Sequence, residues 1–198
     1  MIDPTGTESW IAIGLAALLG YALGCLNTGY LLVRWKTGRD LRTLGSGNAG
    51  ARNAGRILGR SGFVLTMLGD MLKGALAVGS ALLWLPTPFA TASALIAVVA
   101  GHLWPAPLGF RGGKGAATGC AAALIYAPAS TSLALLVCLL IFLCTRRATL
   151  SAMIAFSTLP LFAWILTRDP LVSAALAIVA ALVVSSHRLN LAHERSHT

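Results

Sequence analysis

Apolar residues along this chain run in long stretches, without the alternation of half-buried strands or the narrow stripe of a surface helix. The stretches cover residues 9–33, 61–85, 88–104, 115–127, 130–144, 150–167 and 171–186, and each is read as a membrane-spanning helix. About 20 helical residues cross about 30 Å of hydrocarbon, so 115–127 and 130–144 are short for the task. A single helix over 115–144 is the competing reading, set against a break near Pro128. Glycine and charge collect at 34–60 and 105–114, whereas Leu85 to Pro88 and Arg168 to Pro170 leave room only for tight turns. The pattern predicts an all-α fold: a polytopic integral membrane protein forming one membrane-embedded domain over residues 1–198.

Charge decides between the two readings of 115–144. With seven spans, Arg34, Lys36, Arg39, Arg42, Arg52, Arg56, Arg60, Arg111, Lys114, Arg146, Arg147, Arg188 and Arg195 share one face, and Arg168 falls on the other. A single helix would carry Arg146, Arg147, Arg188 and Arg195 to the outer side, against the excess of Lys and Arg in cytoplasmic loops. Seven spans follow, with the N-terminus outside and the C-terminus in the cytoplasm. The stretch from Trp10 to Val33 is preceded by Asp3 and Glu8 instead of a basic segment, so it is read as a retained span and not a secretion signal.

Composition narrows the chemistry. The 198 residues are 57% hydrophobic and 11% charged, with a net charge of +9. Those cations lie between apolar stretches and not beside stacking aromatics, which argues against a nucleic-acid partner and for anionic lipid or a phosphorylated substrate. Cys25, Cys120, Cys138 and Cys144 form no CxxC pair and have no histidine at ligand spacing, so no metal site is expected.

Two polar segments suit anion binding. In Gly45-Ser46-Gly47-Asn48-Ala49-Gly50-Ala51-Arg52-Asn53-Ala54-Gly55-Arg56 the glycines let backbone N–H groups face an anion, Ser46, Asn48 and Asn53 add neutral partners, and Arg56 can grip a phosphate with two donors. Its formal GxGxxG lacks the preceding strand of a dinucleotide fold. In Gly109-Phe110-Arg111-Gly112-Gly113-Lys114-Gly115 the spacing is one residue short of a Walker loop, and Gly115 stands where that loop needs Ser or Thr. Lys114 is nonetheless expected at a helix N-terminus, where free N–H groups favour an anion. His102 lies near this loop, and Asp70 and Lys73, one turn apart inside a span, are expected to pair.

These segments, with Asp70-Met71-Leu72-Lys73-Gly74, Gly101-His102 before Pro105, and His187-Arg188 before Asn190, occur in the order and spacing of a known family. The chain resembles the bacterial acyl-phosphate:glycerol-3-phosphate acyltransferases, polytopic membrane proteins that make lysophosphatidic acid. The resemblance implies acyl phosphate and glycerol 3-phosphate as substrates, membrane lipids as surroundings, no cofactor, and a site on the cytoplasmic side of the bacterial inner membrane. It further implies His102, Lys114 and Ser46 as catalytic residues. Ser46, Asn48, Asn53, Arg56, Gly112, Gly113, Lys114, Arg188 and Asn190 would contact substrate, and Asp70 and Lys73 would support the site. Arg52 stands where the family usually has threonine, Cys25-Leu26-Asn27 replaces Ser-Ile-Pro, and the family's Gly-Thr-Glu ending is missing. An organic-anion transporter and an inactive lipid-binding relative are the competing classes.

Overall fold

A computed structural model describes residues 7–195, with side chains from 10 to 187. Eight α-helices succeed one another: α1 Thr7–Cys25, α2 Thr28–Thr37, α3 Ala51–Trp84, α4 Pro88–Leu103, α5 Ala116–Tyr126, α6 Pro128–Thr145, α7 Ala148–Thr167 and α8 Pro170–Arg195. Short 3₁₀ turns, Leu41–Thr43 and Ala106–Leu108, lie in the two polar segments. Among the described residues, six helical stretches are long and apolar enough to cross a membrane, and the 11-residue α5 is shorter. At 1.5 Å per residue α5 rises about 16 Å, roughly half the hydrocarbon thickness.

The chain breaks at Ala127, as the charge argument expected, and Thr131 Oγ1 reaches back across the break to donate to Ala123 O at 2.9 Å. Pro128 starts α6 because its missing N–H costs nothing in a first turn.

Three predicted boundaries move. The first span is two helices, because Asn27 (φ −75°, ψ 97°) leaves helical geometry between α1 and α2. The second begins ten residues before the expected position 61: Gly50 caps the helix that starts at Ala51, and Gly59, at φ 71°, kinks it where the polar part meets the apolar part. The last helix continues past residue 186 to Arg195, so the basic end belongs to α8.

Packing rests on small residues. Helix α4 contacts α1, α3, α5 and α8, and its buried Leu95, Val98 and Val99 join Val78, Leu176, Val179 and Val183 in the main core. Gly20 and Gly24 of α1, spaced as in close-packed membrane helices, pack against α4, where a Cβ at Gly24 would stand 2.9 Å from the Cα of Gly101. With lipid no more polar than leucine, such close backbone approach replaces the hydrophobic drive of a soluble core. Large residues face outward instead: Leu18, Leu68, Leu72, Leu83, Leu136, Leu143 and Leu161 are all at least half exposed.

Candidate active site

The first polar segment is wound around one side chain. Asn53, in the first turn of α3 and 1% exposed, donates its amide N–H groups to the carbonyls of Leu41 (3.1 Å), Leu44 (2.8 Å) and Asn48 (3.0 Å). Its Oδ1 accepts the backbone N–H of Ser46 at 2.9 Å. Asn48 Oδ1 in turn accepts from Gly50 N at 2.9 Å, a local turn that leads the chain into α3. The result presents an exposed Ser46 and Arg56 beside a loop wound by these hydrogen bonds. Asn53 was expected on the substrate, yet its amide is fully engaged in holding the loop.

Arg42 links the two polar segments. Its guanidinium meets Asp40 at 2.7 Å, stands 5.2 Å from the ring of Tyr30, and donates to the carbonyl of Leu108 in the second segment. Hydrogen bonds from Arg42 hold the Asp40 carboxyl below its usual range, and the same contact raises Arg42. Tyr21 of α1 adds a second fastening, donating to Trp104 O at 2.7 Å and accepting from Ala106 N at 3.2 Å. Arg42 enters the sequence argument only as one of the one-sided cations, and Tyr21 not at all. Asp40-x-Arg42 just before the glycines was the available signal for the first.

The second segment folds back onto the end of α4. Gly112 N donates to Leu103 O and Gly113 N to His102 O, both at 3.0 Å. Here glycine is required by space: a Cβ at 112 would overlap the His102 carbonyl, and one at 113 would overlap His102 Nε2. His102 is therefore covered by the strap on one edge. Its other nitrogen, Nδ1, lies 3.3 Å from Thr118 Oγ1 and 3.6 Å from Asp70 Oδ1. The strap delivers Lys114 to the start of α5, where Gly115 (φ 76°) caps the helix. The first N–H groups of α5 have no partner within the helix, and they sit beside Lys114.

Beneath this lies a buried charge cluster. Asp70 and Lys73 pair at 3.1 Å with side chains 3% and 5% exposed. The Lys73 ammonium also donates to Gly24 O (3.0 Å) and Leu26 O (2.8 Å), the carbonyls released by the break after α1. The Asn27 amide approaches His102 O at 3.5 Å. One lysine thus faces both the carboxylate and the broken helix end.

The third segment joins through Ser186, which donates to Lys114 O at 2.9 Å. His187, buried, lies against Val183 O at 2.8 Å, with Lys114 and Arg52 as its cationic neighbours. The side chains of Arg188 and Asn190 lie outside the described residues. The structure therefore gathers His102, Gly112, Gly113, Lys114, Asp70 and Lys73 in one cluster. Ser46, Asn48, Asn53 and Arg56 form another, and Arg42 ties the two segments together. Among the described residues no group of three His, Cys, Asp or Glu side chains is placed to hold a metal ion.

Comparison with known proteins agrees over nearly the whole chain. Residues 14–196 match the family model described as glycerol-3-phosphate acyltransferase. A relative from Desulfitobacterium hafniense (strain Y51), glycerol-3-phosphate acyltransferase 1, is 43% identical over 180 residues, covering 90% of this chain and 89% of the relative. Glycerol-3-phosphate acyltransferase of Clostridioides difficile (strain 630) is 38% identical, covering 89% of each. The crystal structure of PlsY (YgiH), an integral membrane glycerol 3-phosphate acyltransferase, in its glycerol 3-phosphate form superposes with a TM-score of 0.81 at 31% identity, over 92% of both chains. Its lysophosphatidic acid form gives 0.78 at 28% identity, over 92% of this chain and 91% of that one. With an all-helical membrane fold and its polar segments in the expected order, the chain belongs to the glycerol-3-phosphate acyltransferase family.

Proposed function

We propose that this protein transfers an acyl group from acyl phosphate to glycerol 3-phosphate, giving lysophosphatidic acid and phosphate, the first step of phospholipid synthesis. The observation that carries the reading is the Gly112–Gly113 strap, hydrogen-bonded to the end of α4, which brings Lys114 to the N-terminus of α5, where no side chain caps the helix. Family membership supplies glycerol 3-phosphate as the acceptor. The acyl phosphate fits the absence of any nucleophile, base and orienting acid set among the side chains gathered here.

In this reading Ser46, Arg56 and Lys114 hold the two phosphates, one from each substrate, and Asn48 and Asn190 orient the glycerol hydroxyls. Gly112 and Gly113 offer close backbone approach, and Arg188 adds positive charge at the start of the helical tail. A glycerol hydroxyl attacks the acyl carbonyl, the new ester C–O bond forms, and the bond to the donor phosphate breaks with its electron pair leaving on phosphate. The hydroxyl proton goes to that phosphate. His102, enclosed by Gly113 on one edge and by Thr118 and Asp70 on the other, shapes the strap instead of taking the proton. Positioning and charge stabilisation then carry the rate. The basic polar segments face the cytoplasm, with the N-terminus outside and the C-terminus inside across seven crossings of the inner membrane. A transporter is not favoured, because the glycine-rich polar segments gather at helix ends, with only the Asp70–Lys73 pair inside a span.

Purified protein given palmitoyl phosphate, palmitoyl-CoA or neither, together with glycerol 3-phosphate, tests the donor: lysophosphatidic acid is expected from palmitoyl phosphate alone. Lys114→Ala is expected to lower the rate by about 10²–10³, the range for loss of one charge-stabilising donor. A folded Lys114→Ala protein with full activity would sink the reading.

A further inference from the structure

Arg52 and Arg56 stand one turn apart on one face at the polar end of α3, and Arg60 follows directly after the Gly59 kink. With Gly55, Gly59, Phe63 and Val64 they line an open groove of about 620 Å³. All three arginines are exposed, and among the described residues none is paired with a carboxylate. Arg52 donates to Thr149 Oγ1 at 2.6 Å, a neutral partner. Like charges at this spacing repel, and an anion seated among them removes the repulsion.

The groove is two-ended. Gly55 and Gly59 place no side chains on its floor, and a Cβ at Gly59 would meet nothing within 4 Å. Toward the bilayer its walls are the exposed Phe63 and Val64, continuous with the outward-facing Leu65, Leu68 and Leu72. At the other end Arg56 passes beside the start of the Ser46 loop, where a Cβ at Gly45 would lie 3.8 Å from Arg56 Cδ. An amphiphile with an apolar chain and a terminal phosphate matches both ends at once. A diacyl phospholipid carries a single diester charge screened by its headgroup, whereas an acyl phosphate offers three free oxygens to paired guanidinium donors.

We infer that this groove is the route by which the acyl phosphate enters from the bilayer, with Arg60 as its outer phosphate contact and Phe63 beneath its chain. The inference rests on acyl phosphate being the donor. Arg60→Gln is exposed on the helix surface, and its fold is checked by gel filtration and thermal unfolding. In zwitterionic nanodiscs it should raise the donor KM about tenfold, about 1.4 kcal/mol, for both 8-carbon and 16-carbon acyl phosphates. The KM for glycerol 3-phosphate and kcat should stay within about twofold of the unmodified protein. Phe63→Ala should raise the KM of the 16-carbon donor more than that of the 8-carbon donor. Added salt should weaken donor binding less in Arg60→Gln than in the unmodified protein.

An unchanged donor KM in Arg60→Gln, or an equal rise for both substrates, overturns the route. So does a defect seen only when phosphatidylglycerol is present, which would make the groove a site for bilayer phospholipid. If the unmodified protein makes no lysophosphatidic acid from acyl phosphate, the donor assignment fails and takes the route with it. Full activity with a kinetically silent Arg60→Gln removes the route alone.

Discussion

Replacing Lys73 with Met keeps an unbranched side chain one atom shorter and removes the ammonium that three oxygens share. The Asp70 carboxylate, 3% exposed, loses its partner at 3.1 Å, and the carbonyls of Gly24 and Leu26 lose donors at 3.0 and 2.8 Å. Breaking a buried ion pair from one side costs about 3–5 kcal/mol, mostly from the charge left behind. At about 2–4 °C per kcal/mol for a chain of this size, the midpoint should fall by about 6–20 °C. Removing both charges with Asp70→Leu and Lys73→Met should recover much of that loss, because apolar replacement of a buried pair is often neutral or better. Recovery should stay incomplete by about 1–3 kcal/mol, since the two carbonyls at the α1 break remain without donors. The assay is thermal unfolding in detergent at a fixed scan rate, because unfolding of such proteins is often irreversible and the midpoint then depends on rate. A midpoint for Lys73→Met within about 2 °C of the unmodified protein, or a double variant no better than the single one, would refute the account.

Gly113→Ala places a methyl group against His102 Nε2, so acyl transfer should drop at least tenfold, and His102→Ala added to it should restore part of the rate by opening space. Steady-state assays of the single and double variants check this, and a fully active Gly113→Ala removes the steric argument. The Asp40–Arg42 contact has a depressed carboxyl, so its stabilisation is present above the ordinary carboxylate range near pH 4 and is lost as pH falls through the lower folded value. Protection of residues 38–50 from proteolysis should therefore be level from pH 5 to 8 and fall only in stronger acid. In Asp40→Asn, protection should be reduced across the same range.

Several features were legible because a local signal carried them. Pro128 after Ala127 announced the break between α5 and α6, and the cations at 146–147 gave that break its topological sense. Gly113 and Lys114 placed the strap, since only a chain without Cβ atoms fits against His102. The break at Asn27 was hidden inside a continuous apolar run: its cause is Lys73, 46 residues away, which takes up the released carbonyls. Arg42 escaped for the same reason, as its partner Leu108 is 66 residues distant. The part Asn53 plays in winding its loop was not legible, because composition shows that an amide is present and not which groups it meets.

Because one amide gathers the carbonyls of Leu41, Leu44 and Asn48 and the N–H of Ser46, the loop behaves as a single part, with its shape set before any ligand arrives. Its backbone has few independent adjustments left. An engineer seeking a different acceptor alcohol would do best to leave that winding untouched and vary the outward side chains, Ser46 first.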